Sequence, residues 1–554
     1  MRLIECVPNF SEGNDLAIIK AITDAIESVE DVKLLNVDPG KATNRTVVTF
    51  VGEPEALVEA AFRGIKKASE LIDMRKHKGE HPRMGATDVC PLIPISGVTM
   101  EEAVQFAKQV GKRVGEELSI PVYLYEYAAT AVHRKNLSVI REGEYEGIAE
   151  KIKKPEWKPD FGVAQFNPKS GSTVIGARDF LVAYNVNLNT TSVKKANSVA
   201  FDVRENGRVK KNAKGEIEKD PAGNAVRIPG ACKAVKAIGW FIEEYGIAQV
   251  SINLTNLNVT PVHVAFDEVC KSAEKRGLRV TGSELIGLIP LKSMFDAGKY
   301  FLRKQQVSVG VSDEQLIKIA VKSLGLDELT PFDPKKKIIE YMLEEEQNAP
   351  LVNMNLRAFA NETASESPAP GGGSIAAYVG SLGVSLATMV ANLSAGKKEW
   401  ETRTEEFSAH AEKGQALKEK LLKLVDEDTK AFNAIMAAYQ LPKGSQERKD
   451  ALQKATRHAI EVPFEVMKTS LASFDLIQAM AENGNQNSIS DAGVGALCAR
   501  TAVLGAWLNV KINVGGLDDK EFVKSILAEG EKMAGQADVQ EKEILKVVAS
   551  KISS

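Results

Sequence analysis

Along the first 350 residues the spacing of apolar positions switches repeatedly between period two and the helical period, which predicts strands and helices in mixed order. Residues 3–7 read as a strand. Ile18, Ile22, Ile26 and Val29 then recur at helical spacing and mark one apolar face. Residues 32–37 and 46–51 are short β-rich runs, and Pro54 opens a helix at a position where its missing N–H costs nothing. An apolar run at 89–95, a helix at 100–118 and a strand at 122–125 complete the order βαββαβαβ. That order predicts a sheet covered by helices on one face. A second unit begins near Phe180, where Val182, Tyr184, Val186 and Leu188 alternate with Asn185, Asn187 and Asn189. The alternation returns as Val250, Ile252 and Leu254 against Gln249, Ser251, Asn253 and Thr255. Each is a strand with one polar face, which either floors a cleft or meets solvent.

Beyond Pro350 the strand patterns stop and long Ala/Leu/Lys/Glu helical patterns take over. The fold class is therefore an α+β amino-terminal half of two sheet-plus-helix subdomains joined to an all-α helical bundle. Boundaries fall at 1–179, 180–340, a linker at 341–355, and 356–554. A Gly/Lys/Asn-rich stretch, 206–229, reads as a surface excursion. The uncharged stretch 367–396 is long enough to span a bilayer, but its Ala, Gly and Ser content suits a buried, closely approached helix, so no membrane span is expected.

Composition narrows the functional classes. At roughly 150 residues per domain, 554 residues imply three or four domains, and 44% hydrophobic content can supply each with a core. A net charge of -3 leaves no basic stripe with which to displace counterions from a phosphate backbone, so a nucleic-acid partner is not expected. Five scattered cysteines form no metal-like pair and leave an odd count, which fits free thiols in a reducing compartment. After Arg2 a very short apolar run ends at Glu5, too little for a signal segment, and the expected location is cytoplasmic.

The richest local chemistry lies in Arg75-Lys-His-Lys-Gly-Glu-His-Pro-Arg-Met-Gly85, where two of the six histidines stand four residues apart among cations. Gly79 and Pro82 break regular structure, so an irregular loop presents His77, Glu80 and His81. His77 to His81 spells the H-x-x-E-H zinc signature, which requires a helix that Gly79 and Pro82 oppose. General acid–base work by a histidine with a pKa of about 6.5 is favoured; a histidine merely satisfied by backbone is the plain alternative. Arg75, Lys76, Lys78 and Arg83 would attract carboxylates or phosphates. Asp38, closing one strand, and Asn44 and Arg45, opening the next, add polar groups at one end of the sheet. Two glycine-bounded loops offer backbone to a flat ligand: Gly162 to Gly176, containing Phe166 and Gly171, and Gly230 to Gly239, containing Lys233 and Lys236.

In the helical half, Leu417, Leu421, Leu424, Asp428, Phe432 and Ile435 fall on one stripe, so a carboxylate stands where a leucine belongs. Burial would raise its pKa and leave an acid near neutrality. The alternative is a carboxylate satisfied by a neighbouring helix. Pro370-Gly-Gly-Gly-Ser374, with Gly372 and Ser374, precedes the uncharged helix and offers N–H groups to an anion. A second polar run, Gly484 to Asp491, is followed by a Gly/Ala-rich helix carrying Asn509 and Asn513.

Taken together, Glu5-Cys-Val-Pro-Asn-Phe-Ser-Glu-Gly13, Thr43-Asn-Arg-Thr46, the loop from His77 to Gly85, Asp160-Phe-Gly162, Ile238-Gly-Trp240, Pro370 to Ser374, Leu424-Val-Asp426 with Asp428, and Ser490-Asp491 resemble the bifunctional formimidoyltransferase-cyclodeaminase family over essentially the whole chain. The resemblance implies two reactions of histidine breakdown: formimino transfer from N-formimino-L-glutamate to tetrahydrofolate, then cyclisation to 5,10-methenyltetrahydrofolate with loss of ammonia. It places the transferase histidine on His81 and the cyclodeaminase acid on Asp428. It implies folate contacts along 162–171 and 230–239, although Ala234 and Ala237 depart from the family pattern. Polyglutamylated tetrahydrofolate as co-substrate, no metal, and a ring-like homo-oligomer, commonly an octamer, are also implied. The rival readings are a zinc amidohydrolase using His77 and His81, and a non-catalytic folate or anion binder.

Overall fold

The computed structural model describes residues 2–40, 44–79, 82–212, 214–243, 245–343 and 350–552. The chain divides into two compact units, residues 1–293 with 324–343, and residues 294–323 with 344–554.

The first unit opens with β1 (Leu3–Cys6), β2 (Asn9–Phe10), α1 (Leu16–Glu27), β3 (Val32–Gly40), β4 (Arg45–Gly52), α2 (Pro54–Leu71), β5 (Thr87–Ser96), α3 (Met100–Leu118) and β6 (Val122–Glu126). This is the expected order with the short β2 added. Two short helices, α4 (Leu137–Ile140) and α5 (Glu144–Lys151), and β7 (Thr173–Ala177) follow. The strands form one sheet, ordered β1-β4-β2-β5-β7-β6 with β3 on β4, in which β5, β7 and β6 run parallel. Local chemistry sets the helix starts. Asp15 accepts the Ala17 and Ile18 N–H groups, Pro54 occupies the first turn of α2, and Thr99 and Glu102 close a reciprocal capping box on α3. The predicted helix faces are buried: Ile22, Ile26, Leu57, Ile65, Phe106 and Val110 pack on Cys6, Phe50, Leu92 and Leu124.

The other sheet face carries different residues. Tyr123, Tyr125 and Val174 pack under Ile140 and Ile148 from the short helices. Toward the other end Leu3 and Val51 meet Phe180, Leu288 and Ile339.

The second subdomain comprises β8 (Val182–Leu188), α6 (Val193–Val203), β9 (Arg208–Val209), β10 (Arg227–Ile228), β11 (Val235–Ile242), β12 (Ile247–Leu254), α7 (Val262–Glu274) and β13 (Val280–Ile286). Its antiparallel sheet is ordered β11-β12-β8-β13. The stretch expected to be an unstructured excursion is instead a ribbon, with β9 paired to β10 and bridges at Lys211–Ile217 and Lys219–Ala225. The polar strand faces are shared by adjacent β12 and β8, and their centre does not meet solvent: Asn187 and Gln249 are fully buried. Trp240 Nε1 donates to Gln249 Oε1 (3.1 Å), Gln249 Nε2 to Asn187 Oδ1 (2.9 Å), and Asn187 Nδ2 to Glu328 Oε2 (2.8 Å). Each buried amide thus finds a partner.

The second unit takes residues 294–323 from α8 (Leu291–Lys304) and α9 (Asp313–Leu324). Between α9 and the bundle, α10 (Pro334–Lys337) and α11 (Ile339–Leu343) return to the first unit. The bundle contains α12 (Leu356–Thr363), α13 (Gly372–Ala395), α14 (Thr404–Gln440), α15 (Gln446–Leu471), α16 (Phe474–Asn483), α17 (Ile489–Asn513) and α18 (Lys520–Ile552). Helix α13, long and apolar enough to cross a membrane, is a core helix here, with 61% of its most apolar window buried. Its small residues admit α17 closely: a Cβ at Gly383 would stand 2.9 Å from Gly495 O. Residues 344–349, at the centre of the predicted linker, lie outside the described residues.

Candidate active sites

His81 and Glu80 lie outside the described residues, but their surroundings are defined. His77 does not sit on a helix. Its Nε2 lies 2.8 Å from Asn44 O, and its Nδ1 accepts from Arg83 Nε at 3.3 Å. With a carbonyl at Nε2 and a guanidinium donor at Nδ1, both ring nitrogens are engaged and the ring anchors the loop. The metal-ligand reading of His77 would require breaking both contacts. Asn44 completes the stitching: its Oδ1 accepts from Gly13 N and its Nδ2 donates to Lys78 O, each 2.9 Å.

Arg83 and Arg75, expected to attract anions, and Arg45, expected to add a polar group at the end of the sheet, are all committed within the chain, Arg75 to Asp73 (2.7 Å). Arg83 donates to Glu144 and Glu146, binding the latter through two nitrogens (2.9 and 2.6 Å), so it ties the loop to the first turn of α5. Arg45 donates to Asn9 Oδ1 (3.0 Å) and pairs with Asp88. Asp88 was missed in the sequence. The β2–β5 register pairs Asn9 with Val89 and Phe10 with Thr87, leaving Asp88 as an extra, bulged residue. Fully buried, it also pairs with Arg141 and accepts from Met84 N at 3.0 Å. Desolvation lowers the Arg45 pKa against the pull of Asp88. Asp38 is exposed on β3, opposite Val47.

The 162–171 segment does converge on the histidine loop. Met74 N donates to Lys169 O (2.9 Å), Ala86 N to Ser170 O (2.9 Å) and Ser172 N to Met84 O (3.0 Å). Gly171, at φ +68, interlocks with Gly85, and a Cβ there would fall 2.2 Å from Met84 O. Phe166 stacks at 5.5 Å on Tyr145, and Gly162 packs on Ile120 and Gly115. The second glycine-bounded segment differs from expectation. Residues 235–242 are the edge strand β11, and its glycines serve packing: a Cβ would fall 2.2 Å from Asn197 N at Gly239 and 2.2 Å from Arg204 O at Gly230. Lys233 is exposed, with its carbonyl accepting from Thr260.

Lys236 lines a cavity of about 700 Å³, together with Tyr125, Glu126, Lys135, Arg178 and Asp179. On the strand β1, opposite Val51 and Ile93, lies Glu5, 4% exposed. Burial pushes its pKa up to about 7, against the lowering field of Arg178. Burial likewise raises Glu126 and Tyr125. Glu5 was legible by the reasoning applied to Asp428, as a lone charge among apolar strand residues.

In the bundle, Asp428 is half-buried on α14 and its Oδ2 accepts from both Ser374 N (2.8 Å) and Ser374 Oγ (3.0 Å) at the amino terminus of α13. Desolvation raises its pKa, and the two Ser374 bonds offset part of that rise. A Cβ at Gly373 would stand 2.1 Å from Asp428 Oδ1, so this approach requires glycine. Asn509 of α17 lies beside Gly372, its Nδ2 donating to Gly505 O. Asp426, two residues before Asp428, is only 4% exposed and accepts from Leu351 N (3.0 Å) and Val352 N (3.2 Å). Asp491 is eighteen residues before Asn509 on one continuous helix, about 27 Å away at 1.5 Å per residue, and does not join Asp428 within the chain.

An α+β body with buried arginine–carboxylate clusters and a cavity, fused to a helical body with a half-buried acid at a helix amino terminus, defines a two-site enzyme. The family described as formiminotransferase domain, N-terminal subdomain, matches residues 3–178; the formiminotransferase domain matches 183–344; and formiminotransferase-cyclodeaminase matches 355–532. The chain is similar to the formimidoyltransferase-cyclodeaminase of Rattus norvegicus, 44% identical over 547 residues that cover 96% of this chain and 97% of that protein. It is similar in part to the glutamate formimidoyltransferase of Thermoplasma acidophilum, 44% identical over 55% of this chain and 93% of that one. The methenyltetrahydrofolate cyclohydrolase of Methylorubrum extorquens matches at 37% identity over 36% of this chain and 99% of its own length. The chain belongs to the formimidoyltransferase-cyclodeaminase family.

Proposed function

We propose that the two units carry out successive folate reactions: formimino transfer from N-formimino-L-glutamate to tetrahydrofolate, then cyclisation of the 5-formimino product to 5,10-methenyltetrahydrofolate with release of ammonia. The observation that carries this reading is the half-buried Asp428 carboxyl held at Ser374, in the unit matched to the cyclodeaminase family. In the cyclisation N10 attacks the formimino carbon, and the tetrahedral intermediate must expel nitrogen as ammonia. Burial favours the protonated form of Asp428, and once its proton is given to the leaving nitrogen the Ser374 N–H and hydroxyl receive the carboxylate. Helix α13 contributes the positive end of its dipole to the same oxygen.

For the transfer, N5 attacks the amidine carbon while a base takes the N5 proton and an acid returns one to the departing glutamate nitrogen. His81 fills that role by its place in the loop, between the anchor His77 and the clamped Arg83. The anchoring of His77 by Asn44 and Arg83 supports acid–base work in preference to a zinc amidohydrolase. Among the described residues no three His, Cys, Asp or Glu side chains converge as metal ligands. A homo-oligomer, ring-like in the family reading, and a cytoplasmic location complete the proposal; the five free thiols suit a reducing compartment. The deciding measurement is the absorbance of methenyltetrahydrofolate formed from tetrahydrofolate and N-formimino-L-glutamate with no metal added. Binding of tetrahydrofolate without product would sink the proposal.

A further inference from the structure

With Arg45 and Arg83 occupied by Asp88, Glu144 and Glu146, the cavity lined by Tyr125 and Glu126 keeps a guanidinium, Arg178, with little to hold. Arg178 follows β7, its N–H bonding Leu92 O (3.2 Å), and its guanidinium donates to Asp179 O at 3.0 Å. No carboxylate among the described residues lies within ion-pair distance of it. The neighbouring Asp179 is held by neutral donors, Tyr127 Oη (2.8 Å) and Asn256 Nδ2 (2.6 Å). The register sets Glu5 opposite Ile93, one residue beyond the Leu92 that Arg178 bonds, so Glu5 and Arg178 flank one strand on one face. The Glu5 side chain has no hydrogen-bond partner among the described residues, and its charged neighbour is Arg178. The cavity lining counts three cations, Lys135, Arg178 and Lys236, against Glu126 and Asp179. A net single positive charge beside two acids suits a planar monoanionic carboxylate better than a dianionic phosphate.

We propose that Arg178 is the carboxylate receptor of this cavity and that Glu5 is its buried counter-charge, taking up a proton from solvent when a glutamate-type carboxylate pairs with the guanidinium. This rests on the function proposed above, in which both substrates carry glutamate carboxylates. Physically, a bound anion shares the Arg178 charge and adds its own repulsion, and both effects favour neutral Glu5. The groups facing Glu5 are Arg178 beyond β7, Cys6 on its own strand and, through Arg178, Tyr125 and Glu126 of β6. Burial holds Glu5 at about 7 against the lowering field of Arg178. Binding therefore weakens as pH rises through 7.

The test uses the full-length protein, with N-formimino-L-glutamate and tetrahydrofolate varied in turn between pH 6 and 8.5. Arg178→Met raises the KM of one of the two by about 10- to 100-fold, the loss expected for a charge-assisted pair, and lowers kcat far less. Which KM moves identifies the carboxylate. Cyclisation of added 5-formiminotetrahydrofolate, measured on the same preparation, stays at the parent rate, and an unchanged thermal transition of the first unit, which carries Arg178, reports an intact fold there. Glu5→Gln lowers the same KM above pH 7 and flattens its pH dependence. Unchanged KM values in Arg178→Met, or a retained slope in Glu5→Gln, overturn the proposal. Calorimetry with glutarate as the probe, in buffers of different ionisation enthalpy, reads proton uptake independently of turnover; a parent protein that binds glutarate without uptake also overturns it. Absence of transfer in the parent would instead count against the proposed function.

Discussion

Two acids define the residue scale: Asp428, read from the sequence as a charge out of pattern, and Glu5, which the structure singled out by its burial. Asp428→Asn keeps an oxygen to accept from Ser374 but has no proton to deliver. Cyclisation falls by about 10²- to 10⁴-fold while transfer continues, so 5-formiminotetrahydrofolate accumulates. Stability changes within about 2 kcal/mol, since shape and acceptor survive. Asp426→Asn replaces the carboxylate that holds Leu351 and Val352 and lowers stability through that contact. Glu5 makes a pH prediction. Its folded pKa of about 7 exceeds the ordinary 4.5, so the native chain holds a proton that the unfolded chain has lost between those values. Its contribution to stability is full below 4.5 and is lost as pH rises to 7, a change of about 3 kcal/mol. Glu5→Gln removes that slope: thermal denaturation shows the variant gaining on the parent at pH 8 and not at pH 4.5.

At the scale of elements, close approaches explain what single residues do. Helix α13 starts where Gly373 lets the α14 carboxylate in, so Gly373→Ala displaces Asp428 by about an ångström and costs cyclisation on the order of 100-fold. Alanine improves helix propensity by about 1 kcal/mol, so circular dichroism shows no loss of helix. The bulge at Asp88 couples β5 to Arg45 of β4 and to Arg141 beyond α4. Asp88→Asn leaves two guanidiniums short of a counter-charge in a buried setting and destabilises the first unit by about 3–5 kcal/mol, measurable by urea denaturation. The helix and strand periods gave the elements correctly because burial on one face writes itself into the sequence. The bulge did not, because it depends on how β2 registers against β5.

Across the whole molecule, the two compact units do not follow chain order, because residues 294–323 belong with the bundle. Within that unit Gly310 O accepts from Asn392 Nδ2 (2.9 Å) and Gln415 Nε2 (3.0 Å), and Gly310 lies against Ala411 with no room for a side chain. A fragment of residues 350–554 therefore cyclises added substrate but melts below the bundle transition of the full chain, while residues 1–343 release glutamate; calorimetry and the two assays on separate fragments check this.

The sequence by itself determined the fold class, the helical identity of the carboxyl-terminal half and the out-of-place carboxylate at Asp428, since each follows from one-dimensional periodicity and the cost of burying charge. It also carried the family resemblance in long motifs. The tertiary structure alone decided which cations are free. Arg45 and Arg83, conspicuous beside the histidines, spend their donors on Asp88, Glu144 and Glu146, whereas Arg178, in no motif, keeps its guanidinium for the cavity. Asp491 likewise parted from Asp428 because helix length sets distance. Whether a charge is available depends on partners 43 to 63 residues away in the chain, and spacing along a sequence holds no record of them.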